Sequence, residues 1–120
     1  MTHPVVQFQI LANSPDETAA FYGKLFGWKI DANNALGYRR IDTGSRQGVQ
    51  GGIWPAAPHA PNFVQLFIGV PDVAAAVAQA TELGAKVLIP ATTLPEGDQM
   101  AVLLDPQGMA FALSTLRSGS

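Results

Sequence analysis

The chain has 120 residues, of which 48% are hydrophobic and 13% charged, and its formal net charge is −2. These values predict one globular domain and exclude a disordered chain, and the dispersed basic residues exclude a nucleic-acid footprint. The absence of cysteine excludes disulfides and zinc thiolates and fits a reducing cytoplasm, where we expect the protein to work. No apolar run approaches the roughly 18 residues of a membrane span, and we expect neither a secretory signal nor a membrane partner.

The first predicted elements are a strand and a helix. The strand covers Val5 to Ala12, where β-branched and aromatic residues lead to a break. Ser14 is the expected N-cap of the helix, with Glu17 three residues later in a capping box, and Gly27 ends the helix. The i, i+4 pairs that we expect to pack this helix on the core are Phe21 with Leu25 and Tyr22 with Phe26.

Three more strands complete the first half, over 28–30, 36–43 and 48–54. The segment PAAPHAP at 55–61 holds three prolines in seven residues and cannot join the interior of a sheet. We therefore predict a first module over about 4–54 and a connector over 55–62.

The second half repeats this order over about 63–116. A strand from Phe63 to Val70 precedes a helix that Asp72 caps and Gly84 ends. Strands are predicted over 86–89, 100–104 and 109–114, with a loop over 90–98 and a DPQG turn over 105–108. The residues expected to face the core from this helix are Val73, Val77 and Ala80.

An internal repeat relates the two halves. Val6-Gln7-Phe8 recurs as Val64-Gln65-Leu66, and both helices end at a glycine. Each half reads strand, helix, strand, strand, strand, and two copies are too few for a solenoid. The predicted fold is α+β, with two βαβββ modules paired about a pseudo-twofold axis into a curved mixed sheet with the helices outside.

Three segments carry a resemblance to a known family: AAFYGKLFGWKI at 19–30, GVPDVAAAVAQATELGAKVL at 69–88 and DPQGMAFAL at 105–113. With them the chain resembles the vicinal oxygen chelate superfamily of glyoxalase I, bleomycin-resistance proteins and extradiol dioxygenases, and within it the small glyoxalase-like proteins. The resemblance implies a central cleft between paired modules. It also implies that any metal ligands would lie on the first and last strands of each module.

The resemblance places the four metal-ligand positions at Gln7, Gln65, Gly51 or Gly52, and Ala112. None of these residues carries a carboxylate or an imidazole, and neutral amides compensate poorly for the water that a divalent cation gives up. His3 and His59 share no ligand spacing with each other or with an acid. We therefore expect neither a metal nor another cofactor.

Strand alternation identifies candidate ligand contacts. It puts Gln7 and Gln9 on one face of the first strand, and Gln65 and Phe67 on one face of the equivalent strand. These glutamines could bind a ligand. Alternatively, their amides could hydrogen-bond to each other or face water. The full predicted ligand-binding set is Gln7, Gln9, Tyr38, Trp54, Gln65, Phe67, Ala110 and Ala112.

The last strand alternates bulky and small residues. Met109, Phe111 and Leu113 should pack under the helices, whereas Ala110 and Ala112 should leave space in the cleft. If this placement is right, Ala112→Glu should raise the affinity for divalent metals.

The remaining polar residues have less specific roles. Arg39 and Arg40 point to opposite faces of their strand, and either one could bind an anion or lie in solvent. His59 could overhang the cleft, and the loop at 92–98 could act as a lid in which Glu96 serves as a general base or is an ordinary loop acid.

Three functions fit these observations. The first is a metal-independent protein that binds a small organic molecule in an apolar cleft and sequesters it, as bleomycin-resistance proteins do, or transforms it. The second is a lyase, isomerase or dioxygenase that recruits a metal through unexpected ligands. The third is a non-catalytic partner protein with a vestigial cleft. A homodimer is expected in addition, because exposed sheet edges favour association.

Overall fold

A computed structural model of the chain describes residues 3–34, 37–57 and 59–116. The chain divides into two compact units: the first unit is Gln7–Gln65, and the second unit is Met1–Val6 with Leu66–Ser120. The predicted start of the third strand at Leu36 and the tail at 117–120 lie outside the described residues. No helix among the described residues is long and apolar enough to cross a membrane.

The elements of the first half are β1 (Val5–Ala12), α1 (Pro15–Phe26), β2 (Lys29–Asp31), β3 (Arg39–Asp42) and β4 (Gln50–Pro55). The strand order is β2-β3-β4-β1, with β1 parallel to β4 and the other neighbours antiparallel. The βαβββ order predicted from the sequence is confirmed here. The predicted start of the connector at Pro55 was wrong, because Pro55 is the last residue of β4 and pairs with Ala12.

Helix α1 packs on one face of this sheet. Ala12, Ile41 and Ile53 are buried beneath it, and Phe8 and Ile10 join the same core. Along β1 the alternate residues Phe8, Ile10 and Ala12 therefore face the helix, as strand periodicity predicts. Gln7 and Gln9 consequently lie on the opposite face.

The sequence-based account of α1 was wrong in two details. Ser14 is the N-cap, but its side chain makes no capping hydrogen bond, so the expected capping box does not form. Phe21 and Leu25 are each 58% exposed, and Phe26 is 57% exposed, rather than packed on the core. The inward face includes Ala19, which packs against the core, and Tyr22, whose predicted inward position is confirmed by the stacking of its ring on Trp28.

The elements of the second half are β5 (Phe63–Val70), α2 (Val73–Glu82), β6 (Lys86–Thr93), β7 (Gln99–Leu104) and β8 (Ala110–Thr115). The strand order is β5-β8-β7-β6, with β5 parallel to β8 and the other neighbours antiparallel. This is the second βαβββ module, and with it the α+β class is confirmed.

Helix α2 begins and packs as predicted. The Asp72 carboxylate accepts a hydrogen bond from the Ala75 N–H at 3.0 Å, which satisfies a backbone donor of the first turn. Val73 is buried in the core under α2, and Val77 and Ala80 pack against that core.

The DPQG segment forms the predicted turn. The Asp105 carboxylate accepts from the N–H groups of Gln107 at 2.8 Å and Met109 at 3.0 Å. Gly108 adopts φ +89°, a left-handed conformation that favours glycine. After the turn, Phe111 and Leu113 pack against the α2 core as expected, but Met109 is 69% exposed, so its predicted burial was wrong.

The loop between β6 and β7 is shorter than the predicted loop over 90–98. β6 continues to Thr93, with register irregularities on the way. A tight turn follows, in which the Leu94 N–H donates to the Asp98 carbonyl at 2.7 Å. The predicted loop is therefore reduced to a tight turn over 94–98.

Candidate functional site

The sheet face opposite α1 in the first unit carries a mixed polar and aromatic surface, which we call the open face. The strand register aligns Gln9 on β1, Gly52 on β4 and Arg40 on β3 in one row. Leu11 and Trp54 form the adjacent row. Since paired residues in neighbouring strands share a face, these side chains lie on the open face.

Tyr38 covers Gly52 on this face. A Cβ atom built on Gly52 would overlap the hydroxyl and terminal ring carbons of Tyr38. The Tyr38 ring also contacts Trp54, with ring centroids 5.9 Å apart and planes tilted by 44°. Glycine at position 52 is therefore what lets the phenol rest on the backbone of β4.

Asn34 fixes the backbone of Tyr38. Its Oδ1 accepts from the Tyr38 N–H at 3.0 Å, and its Nδ2 donates to the Tyr38 carbonyl at 2.5 Å. One side-chain amide thus satisfies both backbone groups of Tyr38, as a neighbouring strand would. Gly37, with φ +66°, provides the left-handed turn that precedes Tyr38.

The hydroxyl of Tyr38 is the distinctive polar group of the open face. It is buried and has no hydrogen-bond partner among the described residues. Burial raises the pKa of the Tyr38 phenol to about 12, although the positive charge of Arg40 acts in the opposite direction. The phenol is therefore protonated at neutral pH and available as a hydrogen-bond donor.

The glutamines differ in how firmly they are held. Gln7 and Gln9 are half-buried. Gln50, the register partner of Gln7, is engaged in the β3–β4 turn, because its amide accepts from the Thr43 N–H at 2.6 Å and donates to the Ser45 carbonyl at 2.7 Å. Gln65 is only 4% exposed. Gln7 and Gln9 are accordingly the amides that the open face offers.

The two adjacent arginines have separate environments, as strand alternation predicts. Arg39 belongs to the α1 side, where its Nε and Nη2 donate to Asp16 Oδ1 at 3.1 and 2.6 Å. This ion pair, at the first turn of α1, occupies the guanidinium. Arg40 is exposed and aligns with Gly52 on the open face.

The predicted residues of the second unit form an apolar group. Ala112 is fully buried and pairs in register with Phe67, and Val102 and Met100 pack with them. The small residue therefore adjoins filled volume within this unit. Ala110 is half-buried at the start of β8.

The structure brings Tyr38 and Trp54 together with Gln9 on the open face, and Phe67 together with Ala112 in the second unit. These two groups belong to different units, and their joint role in one ligand cleft stays a prediction. His3 and His59 are both exposed, and His59 has φ +66°. Glu96 is exposed in the turn after β6.

The residues present do not fit a divalent metal at the positions that the resemblance implies. Gln7 and Gln65 offer neutral amides, Gly52 offers no side chain, and Ala112 is a buried methyl group. Across residues 3–34, 37–57 and 59–116, no three residues of the types His, Cys, Asp and Glu lie close enough together to hold a metal.

The model of the glyoxalase-like domain family matches residues 6–114. The chain belongs to this family. That membership confirms the resemblance to the vicinal oxygen chelate superfamily, and structural similarity agrees with it. Two curated proteins, from Mycobacterium bovis and Mycobacterium tuberculosis, are each named "Putative glyoxylase CFP32" and are 29% identical over 115 residues. The alignment covers 93% of this chain but only 44% of each relative, so the chain spans less than half of their length.

Solved structures show the same fold at low identity. A hypothetical protein from Bacillus halodurans C-125 is 12% identical, with a TM-score of 0.72 over 100% of this chain and 99% of its own. A variant of the Streptomyces coelicolor methylmalonyl-CoA epimerase, in complex with 2-nitronate-propionyl-CoA, is 20% identical. Its TM-score is 0.62 over 95% of this chain and 97% of its own. At such identities the likeness concerns the fold alone.

Sequence reasoning missed Asn34 and the contact between Tyr38 and Gly52. Asn34 reads as an ordinary turn residue, because a bond from its side chain to a backbone four residues later has no sequence signature of its own. The Gly51-Gly52 pair inside a strand does signal close approach by another group. It does not show which group approaches, and only the structure identifies Tyr38.

Proposed function

We propose that this glyoxalase-like chain is a small-molecule-binding protein whose open face binds an organic ligand without a metal. The observation that carries the proposal is the buried, unpartnered hydroxyl of Tyr38 beside the Trp54 ring. A buried donor that lacks a hydrogen-bond partner costs about 1–3 kcal/mol. A ligand whose acceptor atom pairs with the Tyr38 hydroxyl removes this cost, and its binding is favoured accordingly. Most of the other residues on this face are neutral or apolar, as organic ligand sites commonly are.

Metal independence is part of the proposal and rests on the donor set. A cation needs several anionic or imidazole ligands around it, whereas the implied positions hold amides, a glycine and a buried methyl group. The Tyr38 phenol, which burial keeps protonated, supplies a donor where a metal-dependent relative would use a cation. Binding then serves sequestration, as in bleomycin-resistance proteins, or prepares a reaction.

The proposed ligand-binding set keeps Gln7, Gln9, Tyr38 and Trp54 in the first unit. Gln65, Phe67, Ala110 and Ala112 are proposed as its remaining members, and the apolar packing of Phe67 with Ala112 suits the wall of such a site.

The proposed setting is the cytoplasm, with a small organic molecule as the partner and no nucleic acid. The cysteine-free composition and the net charge of −2 support it. We also propose a homodimer. Support comes from β6, the last strand in the order of the second unit, where Val87, Leu88 and Ile89 are exposed. Exposed apolar edge strands favour association.

The test is a thermal-shift screen of chelator-treated protein against small organic fragments, with metal analysis of the same sample. A binder present at a hundredfold excess over its Kd stabilises the fold by about 2.7 kcal/mol. We expect such shifts without added metal, and their loss in Trp54→Ala. Stoichiometric zinc, nickel, manganese or iron that survives chelation, or fragment shifts that require a metal, would contradict metal-independent binding.

A further inference from the structure

The Tyr38 hydroxyl lies where a side chain at position 52 would begin. A Cβ at Gly51 would meet the Phe8 ring at 2.6 Å, on the α1 side, whereas a Cβ at Gly52 would meet the Tyr38 hydroxyl on the open face. Of the two glycines at which the resemblance places the fourth-strand metal ligand, Gly52 is therefore the one on the open face. No side chain at position 52 is compatible with Tyr38 as it lies.

The group that replaces a fourth-strand side chain has a definite chemistry. A protonated phenol offers one O–H donor, and this one has no acceptor among the described residues. Its ring lies beside that of Trp54, with the two planes tilted by 44°, and an aromatic face of this kind favours planar ligand groups. The donor and the rings together select a molecule with an acceptor oxygen attached to a flat, conjugated part.

The charge around the phenol favours the same class of ligand. Arg40 shares the register row of Gly52, and its positive charge acts on the Tyr38 phenol. Arg40 has an interaction of its own, so its contribution is a field at the site and not a free contact. A positive field and a donor favour a carbonyl or carboxylate oxygen and disfavour an ammonium group.

We propose, on the basis of the function proposed above, that the Tyr38 hydroxyl seated over Gly52 binds a carbonyl or carboxylate oxygen of a planar organic ligand. Tyr38 then takes the binding role that a metal holds in metal-dependent relatives, and Gly52 determines specificity by leaving room for it.

Three probes of similar size test this proposal: benzoate, acetophenone and benzylamine. Their dissociation constants are measured in EDTA by ligand-detected NMR, for the wild-type chain, Tyr38→Phe and Tyr22→Phe. Tyr22→Phe is the matched control, because it removes the same hydroxyl from a ring that stacks on Trp28. We expect benzoate and acetophenone to bind more tightly than benzylamine, and Tyr38→Phe to weaken both by about fivefold or more. Tyr22→Phe should change neither.

A second measurement makes the test independent of the variants. Tyrosine labelled with ¹³C at Cζ reports on the phenol oxygen directly, and benzoate should shift the Tyr38 Cζ resonance and leave that of Tyr22 in place. Equal affinity in Tyr38→Phe, an unmoved Tyr38 signal, or benzylamine that binds as tightly as acetophenone would overturn this inference while leaving small-molecule binding standing. Failure of all three probes to bind the wild-type chain would overturn both proposals.

Discussion

Gly52→Ala tests the contact at the centre of the candidate site. The added Cβ overlaps the hydroxyl end of Tyr38, and the backbone of β4 is held in the sheet between β1 and β3. The Tyr38 ring must therefore turn away and lose its contact with Trp54. An aromatic pair contributes about 0.5–1.5 kcal/mol beyond area burial, so we expect the free energy of unfolding of the variant to fall by about 1 kcal/mol.

The decisive quantity is the pKa of the Tyr38 phenol. It is raised to about 12 by burial in the wild-type chain, and exposure in Gly52→Ala should return it towards about 10. Absorbance near 295 nm reports phenolate, and Tyr22→Phe as the background leaves Tyr38 as the sole tyrosine. At about pH 11, a phenol with a pKa near 10 is about 90% ionised and one near 12 about 10% ionised. Circular dichroism at the same pH checks that the fold persists.

The same shift makes stability depend on pH. Because the folded pKa lies above the unfolded value, the folded state binds the Tyr38 proton more tightly. The contribution to stability is therefore intact below pH 10 and is lost as pH rises towards 12, by up to about 2.7 kcal/mol. Tyr38→Phe should remove this component of the pH dependence.

Gly48→Ala is the control for Gly52→Ala, since a Cβ at position 48 meets no atom within 4 Å. A Tyr38 pKa that stays near 12 in Gly52→Ala would contradict the predicted displacement of the Tyr38 ring.

Two further variants test the packing and the helix start. Ala112→Glu buries a carboxylate at a fully enclosed position, so urea unfolding should show a free energy of unfolding lower by about 3 kcal/mol or more. The control Met109→Glu, at an exposed site, should change it little. Equal losses in the two variants would contradict the burial of Ala112. Asp72→Ala removes the cap on the Ala75 N–H and should lower the free energy of unfolding by about 1 kcal/mol. Ser14→Ala is the control, because it removes no capping bond. A loss in Asp72→Ala no greater than that in Ser14→Ala would contradict the cap.

Element order was predictable because its signals are local. The breaks after Ala12 and Val70, the cap at Asp72 and the DPQG turn each depend on residues close in sequence. The first strand of each half, Val5–Ala12 and Phe63–Val70, was predicted to the residue. The alternation along β1 also identified which residues face α1.

Several of the misses share a physical cause, since they depend on contacts distant in sequence. An i, i+4 pair shows that Phe21 and Leu25 share a helical face, but not that this face is the exposed one. The alternation along β8 marks Ala112 as small, but the packing of Phe67 and Val102 around it comes from other strands. The close approach of Tyr38 to Gly52 likewise joins β4 to a residue that precedes β3.

Metal-independent binding at the open face is tested most directly by a single titration performed twice. Benzoate is added to the chain in EDTA and again with excess Zn²⁺, and Trp54 fluorescence is followed in a Trp28→Phe background, in which Trp54 is the sole tryptophan. We expect a saturable change with the same Kd in both conditions. A change that appears only with the metal, or no change in either condition, would contradict it.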